Sequence, residues 1–303
     1  MFKKITLSLF LLVPLCALAA SLNVGTYNMR NSNAGDTKHG NGWEQRLPYV
    51  SGLVQFHDFD LLGTQELFQF QIDGLLRSMP GYAYVGAGRD DGQKKGEHSA
   101  IFYKKDRFQV LRNGDFWLAE DSSKPNKGWD AALPRICSWA EFRDRDSGEK
   151  LFFFNVHFDH VGVKAREESA KLLLKKIAEV AGTNPAILTG DFNVDQTHKP
   201  YSILQNSSAL RDAYTTAEFK YAPNGTFNNF NSNSLTSSRI DHIFLTRHFQ
   251  AKKYGVLTDS YRSVEGSDGK TYTSNNFPRE VSLQNATARL PSDHFPIKVM
   301  VDY

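Results

Sequence analysis

The chain has 303 residues, with 36 lysines and arginines against 33 aspartates and glutamates, so its formal net charge is +3. Hydrophobic residues make up 40% of it and charged residues 23%, a composition that supports a substantial buried core without disulfides. Two of the positive charges lie in the first four residues, and without them the near-neutral balance of +1 argues against a protein that holds nucleic acid by a large basic surface.

The first predicted element is an export signal. Lys3 and Lys4 precede an apolar run, 5–20, which ends in the small-residue pattern Ala-Leu-Ala-Ala. This is the pattern of a cleavable signal peptide, and the run is too short to be read as a membrane span. We therefore expect residues 1–20 to be removed, leaving one domain over 21–303 with a net charge of +1 because two lysines are lost. The protein is expected to be secreted or periplasmic, monomeric and without a stable membrane anchor.

Cysteine usage restricts the chemistry further. The predicted signal peptide contains Cys16, so Cys137 is the only cysteine of the mature chain. No intramolecular disulfide is expected, although an exported protein meets an oxidising compartment. A single thiol also argues against a cysteine-based zinc site.

Strand and helix patterns alternate along the rest of the chain. Alternating or β-branched and aromatic runs predict strands at Leu22–Met29, Leu61–Thr64, Tyr82–Val85, Ser99–Tyr103, Phe108–Arg112, Arg135–Arg143, Leu151–Phe158, Ala186–Thr189, Ile240–Thr246 and Ile297–Val301. Apolar residues at helical spacing predict helices over Trp43–Gln55, Gln69–Met79 and Lys164–Ala181. Many short strands with a few interleaved helices indicate an α/β or α+β sandwich.

Polar residues cluster where these strands end. They are Asn28, Glu66, His157, Asp159, His160, Asp191, Asn193, Asp241, Asp293 and His294. Taken singly, each could be a turn or capping residue. Taken together, the set is rich in oxygen donors and poor in nitrogen, which favours Mg²⁺, Mn²⁺ or Ca²⁺ over zinc. Carboxylates that bind such a metal, together with neighbouring histidines, predict metal-assisted hydrolysis of a phosphate ester.

Seven short motifs carry a family resemblance. They are Thr-Tyr-Asn at 26–28, Gln-Glu at 65–66, Ala-Ile-Phe-Tyr at 100–103, Asn-Val-His-Phe-Asp-His at 155–160, Gly-Asp-Phe-Asn at 190–193, Arg-Ile-Asp-His-Ile at 239–243 and Ser-Asp-His-Phe-Pro-Ile at 292–297. In this order they resemble the endonuclease/exonuclease/phosphatase superfamily, the deoxyribonuclease-I-like fold, from Leu22 to the C-terminus. Further segments are similar to a mainly bacterial branch near the deadenylase-like side of the superfamily. The resemblance implies a four-layer α/β sandwich, in which two packed mixed, mainly antiparallel sheets are flanked by helices.

The resemblance also implies a metal and its ligands. Glu66 matches the principal Mg²⁺ ligand, with Mn²⁺ as an alternative ion. Asn28 matches a residue that supports both the metal and the scissile phosphate. Asp293 matches a metal ligand or a carboxylate next to the metal.

Catalytic roles are implied in the same way. Asp191 matches the group that orients and deprotonates the attacking water, and Asn193 matches one that holds that water and the phosphate. His157 matches a histidine beside the phosphate. His294 matches a phosphate contact that stabilises developing charge, and Asp241 matches the carboxylate that fixes its tautomer.

Substrate contacts are less defined. Arg135 lies where relatives use varied phosphate-binding residues, and together with Asn28 and Asn193 it is our predicted substrate-binding set. Glu97, Asp159 and His160 belong to the branch and are pocket candidates without an assigned role. Trp129, Phe227 and Phe230 lie near polar loops, where they either stack on a base or sugar or anchor the loops.

The predicted function is a secreted metal-dependent phosphoesterase that cleaves a phosphodiester or phosphomonoester by in-line attack of an Asp-activated water. Its substrate is a phosphate ester, either a small molecule or a single-stranded nucleic acid. The alternatives are an extracellular or periplasmic endonuclease or exonuclease, and a catalytically inactive member that acts as a binding module.

Overall fold

A computed structural model describes residues 20–273, 276 and 278–303, so residues 1–19 of the predicted signal peptide, Cys16 included, lie outside the described residues. The strands are β1 (Ser21–Asn28), β2 (Leu61–Gln65), β3 (Tyr82–Val85), β4 (Ile101–Lys104), β5 (Phe108–Trp117), β6 (Ile136–Asp144), β7 (Lys150–His157), β8 (Ala186–Asp191), β9 (Arg211–Asp212), β10 (Phe219–Tyr221), β11 (Asp241–Leu245), β12 (Gln250–Val256), β13 (Tyr261–Ser263), β14 (Thr271–Tyr272), β15 (Leu283–Gln284), β16 (Thr287–Arg289) and β17 (Ile297–Asp302). The helices are α1 (Ala34–Lys38), α2 (Trp43–Phe56), α3 (Gln69–Ser78), α4 (Val163–Ala181), α5 (Lys199–Gln205) and α6 (Ala213–Thr216).

Two large mixed sheets form the centre of the fold. The first has seven strands in the order β10-β12-β17-β1-β2-β4-β3, and the second has six in the order β5-β6-β7-β8-β11-β9. In the first sheet β1 runs parallel to β2, and β10 runs parallel to β12. In the second, β7 runs parallel to β8. The remaining pairs within both sheets are antiparallel.

The sheets pack face to face, and helices cover their outer faces. The core between them holds residues of both sheets, among them Val24 and Val299 of the first sheet and Phe153 of the second. Helices α2 and α3 pack on the outer face of the first sheet, and α4 and α5 pack on that of the second. The predicted four-layer α/β sandwich is therefore confirmed.

A polar seam links the two sheets at one end of this core. Asn155 of β7 donates through Nδ2 to the carbonyl of Thr64 at 2.8 Å. Its Oδ1 accepts from Gln65 Nε2 at 2.7 Å and from Thr189 Oγ1 at 3.0 Å. The seam requires glycine at position 63, because a Cβ there would collide with the side chains of Thr189 and Asn155. These hydrogen bonds satisfy buried polar groups and fix one sheet against the other.

The predicted strands and the three predicted helices are present, with shifts at their ends. Strand β12 and the shorter elements are not predicted from the sequence, and β5 extends beyond its predicted end at Arg112 to Trp117. Both β5 and β12 contain a bulge, between Val110 and Arg112 and between Ala251 and Lys253 respectively. An extra residue interrupts the period-2 alternation by which strands are recognised. Among the described residues, no helix is long and apolar enough to cross a membrane.

Candidate active site

The first sheet brings four of the predicted site residues to one edge of the sandwich. Asn28 is the last residue of β1 and is paired with Gln65 at the end of the parallel strand β2. Glu66 follows directly, with a left-handed φ of 70° that turns the chain out of the sheet. Asp293 and His294 precede β17, which runs antiparallel to β1 and therefore begins at the edge where β1 ends.

The second sheet brings the remaining catalytic candidates to the same edge. His157 and Asp191 are the last residues of the parallel strands β7 and β8 and lie opposite each other in register. Asp241 is the first residue of β11, which is antiparallel to β8, and it also pairs with Asp191. Backbone pairing therefore positions His157, Asp191 and Asp241, as it does Asn28 in the first sheet, and the other site residues lie close to strand ends.

Asn28 joins the two halves of the site. Its Nδ2 donates to Glu66 Oε1 at 2.9 Å and to Asp191 Oδ2 at 3.0 Å. Asn28 is fully buried, so this single amide fixes the carboxylate of one sheet relative to that of the other.

The carboxylates of Glu66 and Asp293 lie near Asn28 and repel each other, so a nearby cation would stabilise them. Burial, followed by the charge of Glu66, raises the pKa of Asp293, whereas the neighbouring cations His294, Arg30 and Arg46 lower it. The Arg30 guanidinium lies 3.4 Å from Asp293 and 3.9 Å from Glu66. The donors of Glu66, Asp293 and Asn28 are oxygens, and this set fits a hard divalent cation such as Mg²⁺ or Mn²⁺.

His294 lies between two buried carboxylates of the second sheet. Its Nδ1 is 2.9 Å from Asp241 Oδ2, and its Nε2 is 3.8 Å from Asp191 Oδ2. Burial opposes the charge on this ring, but Asp241 and Asp191 outweigh burial and raise the pKa of His294 to about 10. Ligand atoms of all three residues lie within 4.8 Å of one another, a spacing that could hold a metal ion. In this arrangement the protonated His294 itself supplies the cation of the cluster.

The pKa of Asp191 suits a general base. Burial and the neighbouring Asp241 raise its pKa to about 7, while His294, Asn28 and the Asn193 amide lower it. Asn193, at a φ of 50°, donates its backbone N–H to Asp191 Oδ1 at 2.9 Å. A carboxyl group that titrates near neutral pH, buried and held by hydrogen bonds, is suited to accept a proton from water.

His157 is the neutral histidine of the site. Its Nε2 lies 3.6 Å from Asp191 Oδ2, and its Nδ1 lies 3.9 Å from Glu97 Oε2. Burial, followed by the charges of Arg135 and Arg89, lowers the pKa of His157 well below its usual value. The ring can therefore donate a hydrogen bond without carrying charge.

These groups open into a cavity of about 420 Å³. It is lined by Arg30, Asn31, Glu66, Glu97, Leu133, Arg135, His157, His160, Asp191, Asn193, Phe227, Asn229, Ile240, Asp293 and His294. Of the predicted site residues, only Asn28 and Asp241 do not line it, and both hold residues that do. The structure thus brings the predicted residues together in one concave site.

The fold and a comparison of the sequence with known protein families indicate the same family. The model of the "Endonuclease/Exonuclease/phosphatase family" matches residues 25–294. The chain belongs to this family.

Several family members of known structure resemble the chain closely. An endonuclease/exonuclease/phosphatase family protein from Bacteroides thetaiotaomicron is 51% identical, with a TM-score of 0.87 over 94% of this chain and 99% of that one. A mannosyl-6-phosphatase from the same organism is also 51% identical, with a TM-score of 0.86 over 93% of this chain and 100% of that one. The human Nocturnin catalytic domain, at 17% identity and a TM-score of 0.63 over 93% of each chain, shares the fold.

Some residues of this chain lie at the site although they were not predicted from the sequence. Arg30 and Asn31 line the cavity, and their signal was their position directly after Asn28. Of the three aromatic residues left open, Phe227 lines the cavity and packs edge-on against His294 at 5.1 Å. Phe230 instead packs on the Arg46 guanidinium and the core, as a loop anchor would.

One of the pocket candidates, Asp159, supports the site without lining the cavity. Asp159 is 2% exposed, and its carboxylate accepts from the backbone N–H groups of Leu133, Val161 and Gly162 and from Arg135 Nε. Burial would raise its pKa, but these hydrogen bonds and the charge of Arg135 outweigh burial and hold the pKa of Asp159 below its usual value. Asp159 thus fixes the loop that carries Arg135.

Proposed function

We propose that this protein is a secreted, metal-dependent phosphatase that removes the phosphate group from a phosphorylated sugar. One observation carries the hydrolytic part: the Asp191 carboxylate faces the cavity between His157 and His294 and is tied through Asn28 to Glu66. The N-terminal sequence pattern supports export.

Glu66, Asn28 and Asp293 would hold the metal, Mg²⁺ or Mn²⁺. Such an ion supplies a positive charge that polarises a phosphoryl oxygen and offsets the charge developing on it. Their oxygen donors and the mutual repulsion of the two carboxylates support this assignment.

The protein's own residues would then carry out the hydrolysis. Asp191 orients a water molecule and accepts its proton as the water attacks phosphorus in line with the departing oxygen. Asn193 lies beside Asp191 and holds the phosphate and this water through its side-chain amide. The P–O bond to the leaving group breaks as the new bond forms, and the departing oxygen takes up a proton from water. Inorganic phosphate and a free hydroxyl are released, and Asp191 then gives the proton it accepted to water.

Two histidines would stabilise the charge that develops. His294, kept protonated by Asp241, donates to an equatorial oxygen of the phosphate group. His157, which is neutral, donates a hydrogen bond beside it. Both groups are buried and need no reorganisation during the reaction.

Two further observations favour a small phosphomonoester. The similarity to a mannosyl-6-phosphatase at 51% identity covers nearly the whole chain. The cavity of about 420 Å³ also fits a small molecule, and the net charge provides no extended basic surface for a nucleic acid. The presence of all proposed catalytic side chains at one site argues against an inactive binding module.

The test is a substrate panel with the purified protein and Mg²⁺. Each substrate is tested with and without a chelator. The panel contains mannose 6-phosphate, bis-(p-nitrophenyl) phosphate, plasmid DNA, oligo(A), inositol phosphates and sphingomyelin. We expect chelator-sensitive release of phosphate, fastest from mannose 6-phosphate. Faster cleavage of DNA or oligo(A) would support the nuclease alternative, and no turnover of any substrate would support the binding module.

A further inference from the structure

Four polar side chains that line the cavity are not needed for the hydrolytic step. Asn31, Glu97, Arg135 and His160 come from four separate loops and are here called the polar wall. Two direct contacts connect them in pairs: Asn31 Nδ2 donates to Glu97 Oε1 at 3.2 Å, and Arg135 lies 3.0 Å from His160 Nδ1.

Glu97 is a fixed acceptor within this wall. Arg89 donates to its Oε2 at 2.6 Å, and the Glu97 side chain is only 12% exposed. A carboxylate with two oxygens can accept further hydrogen bonds beyond those from Arg89 and Asn31. Because its oxygens accept hydrogen bonds, Glu97 favours a group that donates one, such as a hydroxyl, over a phosphate oxygen, which only accepts.

Arg135 is the corresponding donor. Its Nε donates to Asp159 and its Nη2 contacts His160, but its other terminal nitrogen, Nη1, is buried and has no hydrogen-bond partner among the described residues. The residue is 4% exposed and lines the cavity. A buried donor without a partner is costly, so a ligand that accepts from it is bound favourably.

The wall adjoins the place where the phosphate is to be hydrolysed. Glu97 Oε2 lies 3.9 Å from His157 Nδ1, and the opposite nitrogen of that ring faces Asp191. A group esterified to a phosphate at Asp191 therefore reaches the polar wall across one imidazole ring. Among the described residues that line the cavity, Phe227 is the only phenylalanine, tyrosine or tryptophan, and it packs against His294 rather than in the wall.

We propose that the polar wall is a hydroxyl-binding subsite for the sugar part of the substrate, in which Glu97 accepts from and Arg135 donates to sugar hydroxyls. This inference rests on the proposed sugar-phosphate phosphatase function. A hydroxyl both donates and accepts, so a carboxylate beside a guanidinium matches a hydroxylated ring. A nucleobase would instead call for stacking aromatic side chains.

The test compares Glu97→Gln with a matched control, Glu141→Gln. Glu141 is also paired with an arginine at 2.6 Å, and its side chain is 11% exposed, but it lies on β6 and does not line the cavity. The measured quantity is the ratio of kcat/KM for mannose 6-phosphate to kcat/KM for p-nitrophenyl phosphate, which carries the same phosphate without hydroxyls. Asn31→Ala, at a partly exposed position, is the second variant in case Glu97→Gln does not fold.

We expect Glu97→Gln to lower this ratio by roughly tenfold or more and Asn31→Ala to lower it in the same direction, whereas Glu141→Gln leaves it unchanged. Inhibition by free mannose should weaken in Glu97→Gln more than inhibition by inorganic phosphate. An unchanged ratio, or a parallel loss with both substrates, would overturn the subsite and leave the phosphatase function standing. If the wild-type protein hydrolyses neither monoester, it is the proposed function that fails.

Discussion

The imidazole of His294 and the carboxylate of Asp241 form a buried pair, with Nδ1 and Oδ2 2.9 Å apart. The two residues are 53 positions apart; His294 precedes β17 of the first sheet and Asp241 begins β11 of the second, so the pair exists only when the sheets are packed together. Asp241 fixes the imidazole tautomer and stabilises its positive charge, which leaves Nε2 to face Asp191.

Asp241→Asn removes the charge that holds His294 protonated. Burial opposes the imidazolium, and Asp241 is the leading group that raises its pKa to about 10. Without Asp241 the pKa of His294 falls, so the imidazole loses its proton at a lower pH. The alkaline limb of the kcat/KM profile therefore moves to lower pH by about one unit or more. Because Asp241 also orients the imidazole, we expect kcat at pH 7 to fall on the order of a hundredfold even while the ring stays protonated. An alkaline limb in the wild-type position would show that Asp241 does not control His294.

Asp191→Asn tests the general base with little change of shape. The amide cannot take up a proton from water, so kcat should fall by roughly 10²–10⁴-fold. Circular dichroism and the thermal midpoint should stay near those of the wild type, because burial already penalises the charge of Asp191. Near-normal turnover by the purified variant would remove Asp191 from the mechanism.

Glu66→Gln tests the metal site. Replacing a charged ligand by a neutral amide weakens cation binding, so the Mg²⁺ concentration for half-maximal activity should rise by roughly tenfold or more. Activity of the wild-type protein should be lost on chelation and restored by added Mg²⁺ or Mn²⁺. The comparison is a metal titration of both proteins, and superimposable curves would place the ion elsewhere.

Asp159→Ala tests the support behind Arg135. It leaves buried N–H donors without a partner, so we expect the free energy of unfolding in urea to fall by about 3 kcal/mol at pH 7. Because hydrogen bonds lower the pKa of Asp159, its contribution is complete above about pH 4 and declines as the pH falls further. The difference between variant and wild type should therefore be smaller at pH 3. The control is Asp106→Ala in an exposed turn, which should change the stability little at either pH.

Local patterns in the sequence are enough to predict the long elements, and its short motifs predict which residues meet at the candidate site. Runs of β-branched and aromatic residues identify the strands β7 and β8, which are buried on both faces. Helical spacing identifies α4, because one face of this helix packs in a core. Strand β12 was missed because its bulge places Ala251, Tyr254 and Val256 on the buried side at uneven spacing. The contacts of Glu97 with Arg89 and Asn31 depend on loop conformation, which no periodic pattern encodes.

Because the polar seam at Asn155 joins the two sheets, catalytic activity indicates that the sheets have docked against each other. Glu66 and Asp293 lie beside the ends of strands of one sheet, and His157, Asp191 and Asp241 belong to the other. A folding intermediate in which each sheet has formed but the two have not docked would therefore possess secondary structure and no activity. Regain of turnover during refolding would time the docking step itself, independently of the spectroscopic signal from strands and helices.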